Sequence, residues 1–375
     1  MVSDILLEKT KNILILVPGE NARGGITNYY TSIRNDFPSN IIYLKRGSRN
    51  WPIKSNRFIE ISRIISDYIK FIYFILLKNI SLVQTTTSFS INSIIRDSFF
   101  IIIIKLFRKK VIVFFRGWNN EFVYNLSGLK LRLFKTVFFK ADALIDLSQN
   151  KVNYLKKLGY KRPIFLETTL ADINLIKDLK IEEAINRRYK SRIKTILYLS
   201  RIEKQKGIYK VLEIYISLKK INSNYRLVFA GDGSELNKLK DEIEKRGILD
   251  VSIMGFVQNE NKRRLFDEAS IFLFLSEFDG EGMPISVLEA MSFGLPVITT
   301  NVGGIASVIQ DQRNGVLLKN YNKKSIVNKI NQIVTNKKIY SSVSRNNYSD
   351  GKKLIWSNIV AKRMINIFNE MNSQN

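Results

Sequence analysis

The chain has 375 residues, no cysteine and no histidine, and 60 basic against 33 acidic side chains, a formal net charge of +27. That length suits two domains of about 150–200 residues each. Without cysteine there is no disulfide framework and no thiolate metal site, which fits a reducing cytoplasm. Without histidine no imidazole can serve as base or ligand. The start, MVSDILLEKTKNILILVPGE, puts acidic residues before a short apolar strand and lacks the basic start and cleavage site of a secretory signal. The longest apolar runs, Phe71–Leu77 and Ser98–Ile104, are interrupted by lysine well short of the roughly 18–20 residues of a membrane span.

In chain order, strands are predicted at Asn12–Val17, Ile41–Leu44, Leu82–Gln84, Val111–Phe115, Ala143–Leu147 and Ile164–Leu166. Helical patterns fall between them, around 25–36, 57–78, 91–108, 128–140 and 149–158. Such alternation predicts a parallel sheet with right-handed crossovers. After the first strand, PGENARGGITNYY sets Gly24 and Gly25 where a helix begins, so that backbone can approach a phosphate or sugar. Residues 1–170 carry 27 basic and 11 acidic side chains, a balance of +16, whereas residues 201–300 carry 14 and 15. In 57–78 and 93–110 the cations interleave with apolar residues. At helical spacing these stretches would cover the core and turn lysines outward, and a cationic, apolar-rich face also suits anionic lipid.

The polar stretch 171–192 reads as a linker, and a second alternating set runs from Thr195 to about Leu318. In KTILYLSRIEKQKGIYKV (194–211) a β-branched strand leads into a basic loop, placing Arg201 and Lys206 at a strand's carboxyl end, where open α/β sheets bind ligands. YRLVFAGDG (225–233) and VSIMGFV (251–257) are strands ending in glycine turns, at Gly231 and before Phe256. SEFDGEGMPISVLEAMSFGLPVITTNVGG (276–304) holds Glu281 and Glu289 with seven residues between them. Gly282, Met283, Pro284 and Ile285 open a helix there, and the N–H groups of its first turn form a site for an anion such as a diphosphate. Two carboxylates beside an anion site fit a ligand that also offers hydroxyls, and a sugar nucleotide has both. Residues 322–370 read as wholly helical, with an apolar stripe in KKLIWSNIVAKRMINIFNEM and Trp356 as an anchor.

The order and spacing of EGMP, LEAM, FGLPV and NVGG, with Arg201 and Lys206 upstream, resemble the C-terminal half of retaining, GT-B-fold glycosyltransferases of family 4 (glycosyl transferases group 1). The resemblance implies two Rossmann-like domains facing across a cleft: 1–170 for the acceptor, 193–350 for the nucleotide sugar, and a last helix, 351–375, packing back on the first domain. It implies that Arg201 and Lys206 grip the donor diphosphate, where two fixed cations stabilise the charge gained by the departing nucleotide. Glu289 would hold ribose hydroxyls and Glu281 those of the donor sugar. Gly24, Gly25, Gly231, Phe256 and the helix start at Gly282–Ile285 would complete the donor site. It further implies front-face attack, with the acceptor proton passing to the leaving phosphate, which needs no protein base.

Relatives often carry a histidine after the fourth strand. Here VIVFFRGWNNEF offers Arg116 and Trp118 in that space, on the acceptor side. The usual Asn-Gly-x-Asp turn reads ETTLAD (167–172), and Gly303-Gly304 is followed by IASV. No Asp-x-Asp pair occurs, so a metal-independent mechanism and no cofactor are expected. The expected partners are a nucleotide-sugar donor (a UDP-sugar first, a GDP-sugar second), a glycan or lipid-linked glycan acceptor in bacterial surface polysaccharide synthesis, and an anionic membrane at the inner face of the cytoplasmic membrane. No nucleic acid is expected. The alternatives are a sugar-nucleotide epimerase of the same fold, whose acid–base chemistry usually includes a histidine, and a basic membrane- or nucleic-acid-binding protein without catalysis. The glycine pattern Gly231-Asp-Gly233-Ser-Glu-Leu236 lacks the third glycine of a dinucleotide fingerprint, which argues against a dehydrogenase.

Overall fold

A computed structural model describes residues 11–19, 25–47, 57–278 and 280–373. Two compact units result. The first draws on the described parts of Met1–Thr169, Asp279–Met283 and Val360–Asn375, and the second on Leu170–Phe278 and Pro284–Ile359.

The first unit is a six-stranded parallel sheet in the order β2-β1-β3-β4-β5-β6. Its strands are β1 (Asn12–Pro18), β2 (Ile41–Arg46), β3 (Ile80–Phe89), β4 (Lys110–Trp118), β5 (Ala143–Asp146) and β6 (Ile164–Leu166). Between them run α1 (Gly25–Ile33), α2 (Arg57–Leu77), α3 (Ile91–Leu106), α4 (Asn120–Tyr124), α5 (Gly128–Phe138) and α6 (Gln149–Lys157). Ile13–Leu16, Val111–Phe115 and Ala143–Ile145 are continuously buried, as expected of parallel strands covered on both faces. The expected strand at Leu82–Gln84 is far longer. Thr85, Thr86 and Thr87 extend it and are buried against β4, since β-branched threonine fits a pleated surface although its hydroxyl hides it from a hydropathy pattern. With right-handed crossovers, this strand order places α2, α3, α5 and α6 on one face of the sheet and α1 on the other.

The second unit repeats the plan in the order β12-β11-β10-β7-β8-β9, again parallel. Its strands are β7 (Lys194–Leu199), β8 (Tyr225–Ala230), β9 (Val251–Ile253), β10 (Ile271–Phe274), β11 (Val297–Thr300) and β12 (Gly315–Leu318). Helices α7 (Ile181–Lys190), α8 (Ile208–Ile221), α9 (Leu236–Lys245), α10 (Asn259–Glu268), α11 (Ile285–Ser292), α12 (Lys323–Thr335) and α13 (Lys337–Leu354) accompany them, and α14 (Ser357–Ser373) follows.

The stretch 171–192 is not a free connector. It carries α7, whose Ala184, Ile185 and Arg188 are buried in the second unit. The Arg188 guanidinium donates to the Asp267 carbonyl (2.9 Å) and the Phe293 carbonyl (2.7 Å). Ala184 and Ile185 alone make only a short apolar stripe, and an arginine completes the buried face. The 322–370 region is helical but broken twice, at Asn336, whose side chain accepts from the Ile339 N–H, and at Ile355–Trp356. Trp356 pairs with Ala171 inside the second unit. From Val360 onward α14 belongs to the first unit, where Arg363 forks onto Glu167 at 3.0–3.1 Å and the Lys110 ammonium donates to the Met371 carbonyl at 2.9 Å.

Gly231, at the end of β8, has φ +141°, and a Cβ there would overlap the Ser200 carbonyl oxygen. Gly159 also has positive φ, +98°, but a Cβ there would meet nothing within 4 Å. Gly231→Ala is therefore expected to cost roughly 3 kcal/mol or more of stability and Gly159→Ala about 1 kcal/mol. Urea unfolding of the two variants checks this, and equal losses would contradict the close packing at Ser200.

Candidate functional site

In the second unit the carboxyl ends of β10, β7, β8 and β9 lie side by side, and their loops are tied together. Ile202 N–H donates to the Asp232 carbonyl (2.9 Å), Gly231 N–H to the Gly255 carbonyl (2.7 Å), and Glu277 N–H to the Gln205 carbonyl (2.8 Å). The buried Tyr198 hydroxyl donates to the Arg201 and Lys206 carbonyls at 3.0 and 3.3 Å, fixing the basic loop from below. Gly207 follows it with φ +80°, at a point where a Cβ would run into the Leu275 carbonyl.

This loop carries Arg201 and Lys206. The Arg201 side chain is 59% exposed and its guanidinium is held by Glu203 at 2.6 Å. Lys206 is buried, with its ammonium 4.5 Å from the centre of the Phe278 ring. Phe256 stands exposed beyond β9. Pro284 is the N-cap of α11, one position earlier than the first helical turn, with φ −67°. Ile285 opens the helix. Met283, just before the cap, is buried.

Glu289 is the fifth residue of α11 and 3% exposed. Its Oε1 accepts from the Lys262 ammonium of α10, while its Oε2 is buried without a hydrogen-bond partner. Burial pushes its pKa up, opposed by the Lys262 charge. A buried carboxylate with one open oxygen is costly unless a donor completes it. Lys262 was not foreseen, since NENKRRLF is one polar helix among several.

Glu281 and Glu289 fall in different units, because Asp279–Met283 groups with the first. There the Glu281 carbonyl accepts from the Lys151 ammonium at 2.9 Å. Gly282 lies against the end of β4, where a Cβ would stand 2.9 Å from the Arg116 carbonyl oxygen and 3.2 Å from the Leu147 side chain. Arg116 donates to Thr169 Oγ1 (2.9 Å) and stacks over Tyr29 at 4.0 Å, and its Nη1 is buried without a partner. Burial lowers its pKa.

Trp118, expected on the acceptor side, is only 5% exposed: it stacks on Phe89 (4.3 Å, 6°) and gives its indole N–H to Asp146 at 2.8 Å. Its polar edge is therefore taken within the unit. Asp146, at the end of β5, is fully buried, and desolvation pushes its pKa up to about 7 against the pull of Lys151 and the Trp118 hydrogen bond. Burial also lowers the pKa of Lys151. A carboxylate closing the apolar run ALID was the available sign of this cluster. Gly25 is the exposed first residue of α1, and Gly24 lies outside the described residues.

Two parallel α/β units of this topology, with the last helix returning to the first, define a GT-B fold. Over the whole chain it is similar to the crystal structure of Anabaena Alr3699/HepE in complex with UDP (TM-score 0.73, 15% identity, covering 96% of this chain and 100% of that one). Residues 181–350 match the model of the family of glycosyl transferases group 1. An uncharacterized glycosyltransferase of Methanocaldococcus jannaschii is 29% identical over 199 residues, 52% of this chain and 50% of that protein. The amylovoran biosynthesis glycosyltransferase AmsK of Erwinia amylovora is 32% identical over 145 residues, 37% of this chain and 34% of that protein. The chain thus matches about half the length of the first relative and a third of the second.

The raised pKa of Asp146 has a definite sign. Its contribution to stability is complete below the ordinary carboxylate range and is lost as pH rises through about 7. Wild type is therefore expected to gain roughly 2–3 kcal/mol over Asp146→Asn between pH 8.5 and pH 5. Urea unfolding of both proteins across this range checks it. A constant difference would contradict a protonated, buried Asp146.

Proposed function

We propose that the chain is a retaining glycosyltransferase of family 4, moving a hexose from a nucleotide diphosphate to a glycan hydroxyl. The observation that carries this is the buried Glu289 with one unpartnered oxygen, on a helix inside the group 1 region. In this reading Oε2 accepts from a ribose hydroxyl and Lys262 holds the other oxygen in place. Arg201, Lys206 and the first N–H groups of α11, at Ile285, take the diphosphate, while Gly231 and Phe256 border the nucleotide. Arg201 exchanges its Glu203 partner for phosphate. Glu281, with Gly282 and Met283 beside it, takes the sugar hydroxyls. Gly24 and Gly25 let backbone approach a phosphate or the sugar.

The anomeric C–O bond to the diphosphate breaks as the acceptor oxygen bonds to the same face of that carbon. The acceptor proton passes to the leaving phosphate oxygen, and a nucleoside diphosphate departs. The similar Anabaena chain was solved with UDP, which puts a UDP-sugar first and a GDP-sugar second. The absence of Asp-x-Asp, histidine and cysteine from the sequence favours transfer without a metal. Arg116, with an open Nη1, serves the acceptor side, and Trp118 supports it from within the core. The acceptor is a glycan on a lipid carrier at the inner face of the cytoplasmic membrane, in surface polysaccharide synthesis, as the name of the Erwinia relative suggests.

Arg201→Ala and Lys206→Met (the latter keeping the buried stem against Phe278) are each expected to lower turnover by roughly 10²–10³-fold with the fold intact. Near wild-type turnover at saturating donor would overturn the diphosphate assignment.

A further inference from the structure

Helices α2, α3 and α5 share one face of the first sheet, and α3 packs against both of the others. Their inner sides are apolar, as a core requires: Phe71 and Phe100, for example, meet edge to face at 5.0 Å. Their outer sides are apolar too. On α2, Phe58, Ile61, Ile65, Ile69, Tyr73 and Leu76 are 54–80% exposed at helical spacing, and on α3, Ile91, Ile95, Phe99, Ile102 and Leu106 are 42–75% exposed. Of 25 exposed large apolar side chains among the described residues, 17 lie on α2 to α5. The neighbouring α6, in the same layer, turns Asn153, Lys156 and Lys157 outward instead. Exposed large apolar side chains thus stand on α2, α3 and α5 but not on α6, alongside the outward Lys70 that the sequence pattern led one to expect.

The charges around this face are predominantly of one sign. Residues 57–140 contain 14 basic and four acidic side chains. Two of the acids are turned inward and paired, Asp97 with Arg46 at 3.0 Å and Asp67 with Arg63 at 3.6 Å. Lys70, Arg132 and Lys140 stand exposed beside or between the apolar stripes. An extended apolar surface with a cationic surround is what an interfacial helix presents to anionic lipid: side chains enter the acyl boundary while cations meet headgroups. Among the described residues no helix is long and apolar enough to cross a membrane.

We propose that the outer faces of α2, α3 and α5 form a single seat on an anionic bilayer, held mainly by insertion of apolar side chains and oriented by the surrounding cations. This deepens the membrane-side reading given above and rests on it for the kind of partner. A charge-only attachment would be released by salt, whereas an inserted face stays seated once bound.

The test is flotation of the full chain with vesicles of phosphatidylglycerol and phosphatidylcholine in equal parts, without donor or acceptor. Wild type is expected to float, to remain bound when salt is raised after binding, and to bind pure phosphatidylcholine less. A combined Ile65→Gln, Ile69→Gln, Phe99→Gln variant, whose changed side chains are all more than half exposed, is expected to bind on the order of tenfold less or worse. Lys156→Gln with Lys157→Gln on α6 is expected to bind like wild type. Complete release by salt, or equal losses in the two variants, would overturn the proposal in favour of charge alone. A wild-type dimer that does not float, converted to a monomer by the triple change, would overturn it in favour of a second copy on this face. The thermal shift given by UDP in the triple variant is read alongside. If it persists without flotation, the donor reading stands whatever becomes of the membrane seat.

Discussion

Three strand ends of the second unit pass one another with no room for a side chain. Gly207 lies on the Leu275 carbonyl, Gly231 on that of Ser200 and Gly233 on that of Ile202. These close approaches let the loops after β7, β8 and β10 crowd onto one edge of the sheet, and the donor side of the proposed chemistry depends on that crowding. It sets Arg201 and Lys206 on a loop pinned from below by Tyr198. Were any of these positions wider, the cations would sit on a mobile turn, and fixed charges stabilise a leaving diphosphate better than mobile ones.

Around this frame the buried charges are handled one at a time. Arg188 is spread over main-chain carbonyls, Asp97 is paired with Arg46, and Asp146 is kept protonatable between Trp118 and Lys151. Glu289 differs: one oxygen is held by Lys262 and the other is left open. An uncompleted carboxylate so deep in a folded unit is a standing energetic cost, which a bound hydroxyl would relieve. The first unit carries the opposite imbalance, apolar side chains left in water on α2 and α3. Both are departures from what folding alone favours, and both coincide with the ligand and the surface proposed above.

Much of the architecture was legible because buried parallel strands are apolar runs: β1, β2, β4, β5 and β6 fall where ILILV, IIYL, VIVFF, ALID and IFL stand. The carboxyl half of β3 was not, because three threonines carry it. Nor was α7, whose buried face is completed by an arginine. Among the candidate site residues, the positions of Arg201 and Lys206 after β7 and of Glu289 on α11 followed from motif spacing, but their partners Glu203, Phe278 and Lys262 come from contacts that spacing does not encode. The division of Glu281 from Glu289 between two compact units lies just as far from a linear reading, as does the burial of Trp118 against Phe89. Pattern reports what a strand or helix is made of, and much less of what it will meet.

The open oxygen of Glu289 is proposed to receive a nucleoside diphosphate's ribose. The most direct measurement is a thermal-shift comparison of UDP, GDP and ADP on wild type and Glu289→Gln, since a ligand bound only by the native state raises its melting temperature. One of the three, UDP first, is expected to stabilise wild type, and the substitution to abolish most of that shift without lowering the melting temperature of the unliganded protein. No shift with any nucleotide, or an equal shift in both proteins, would contradict it.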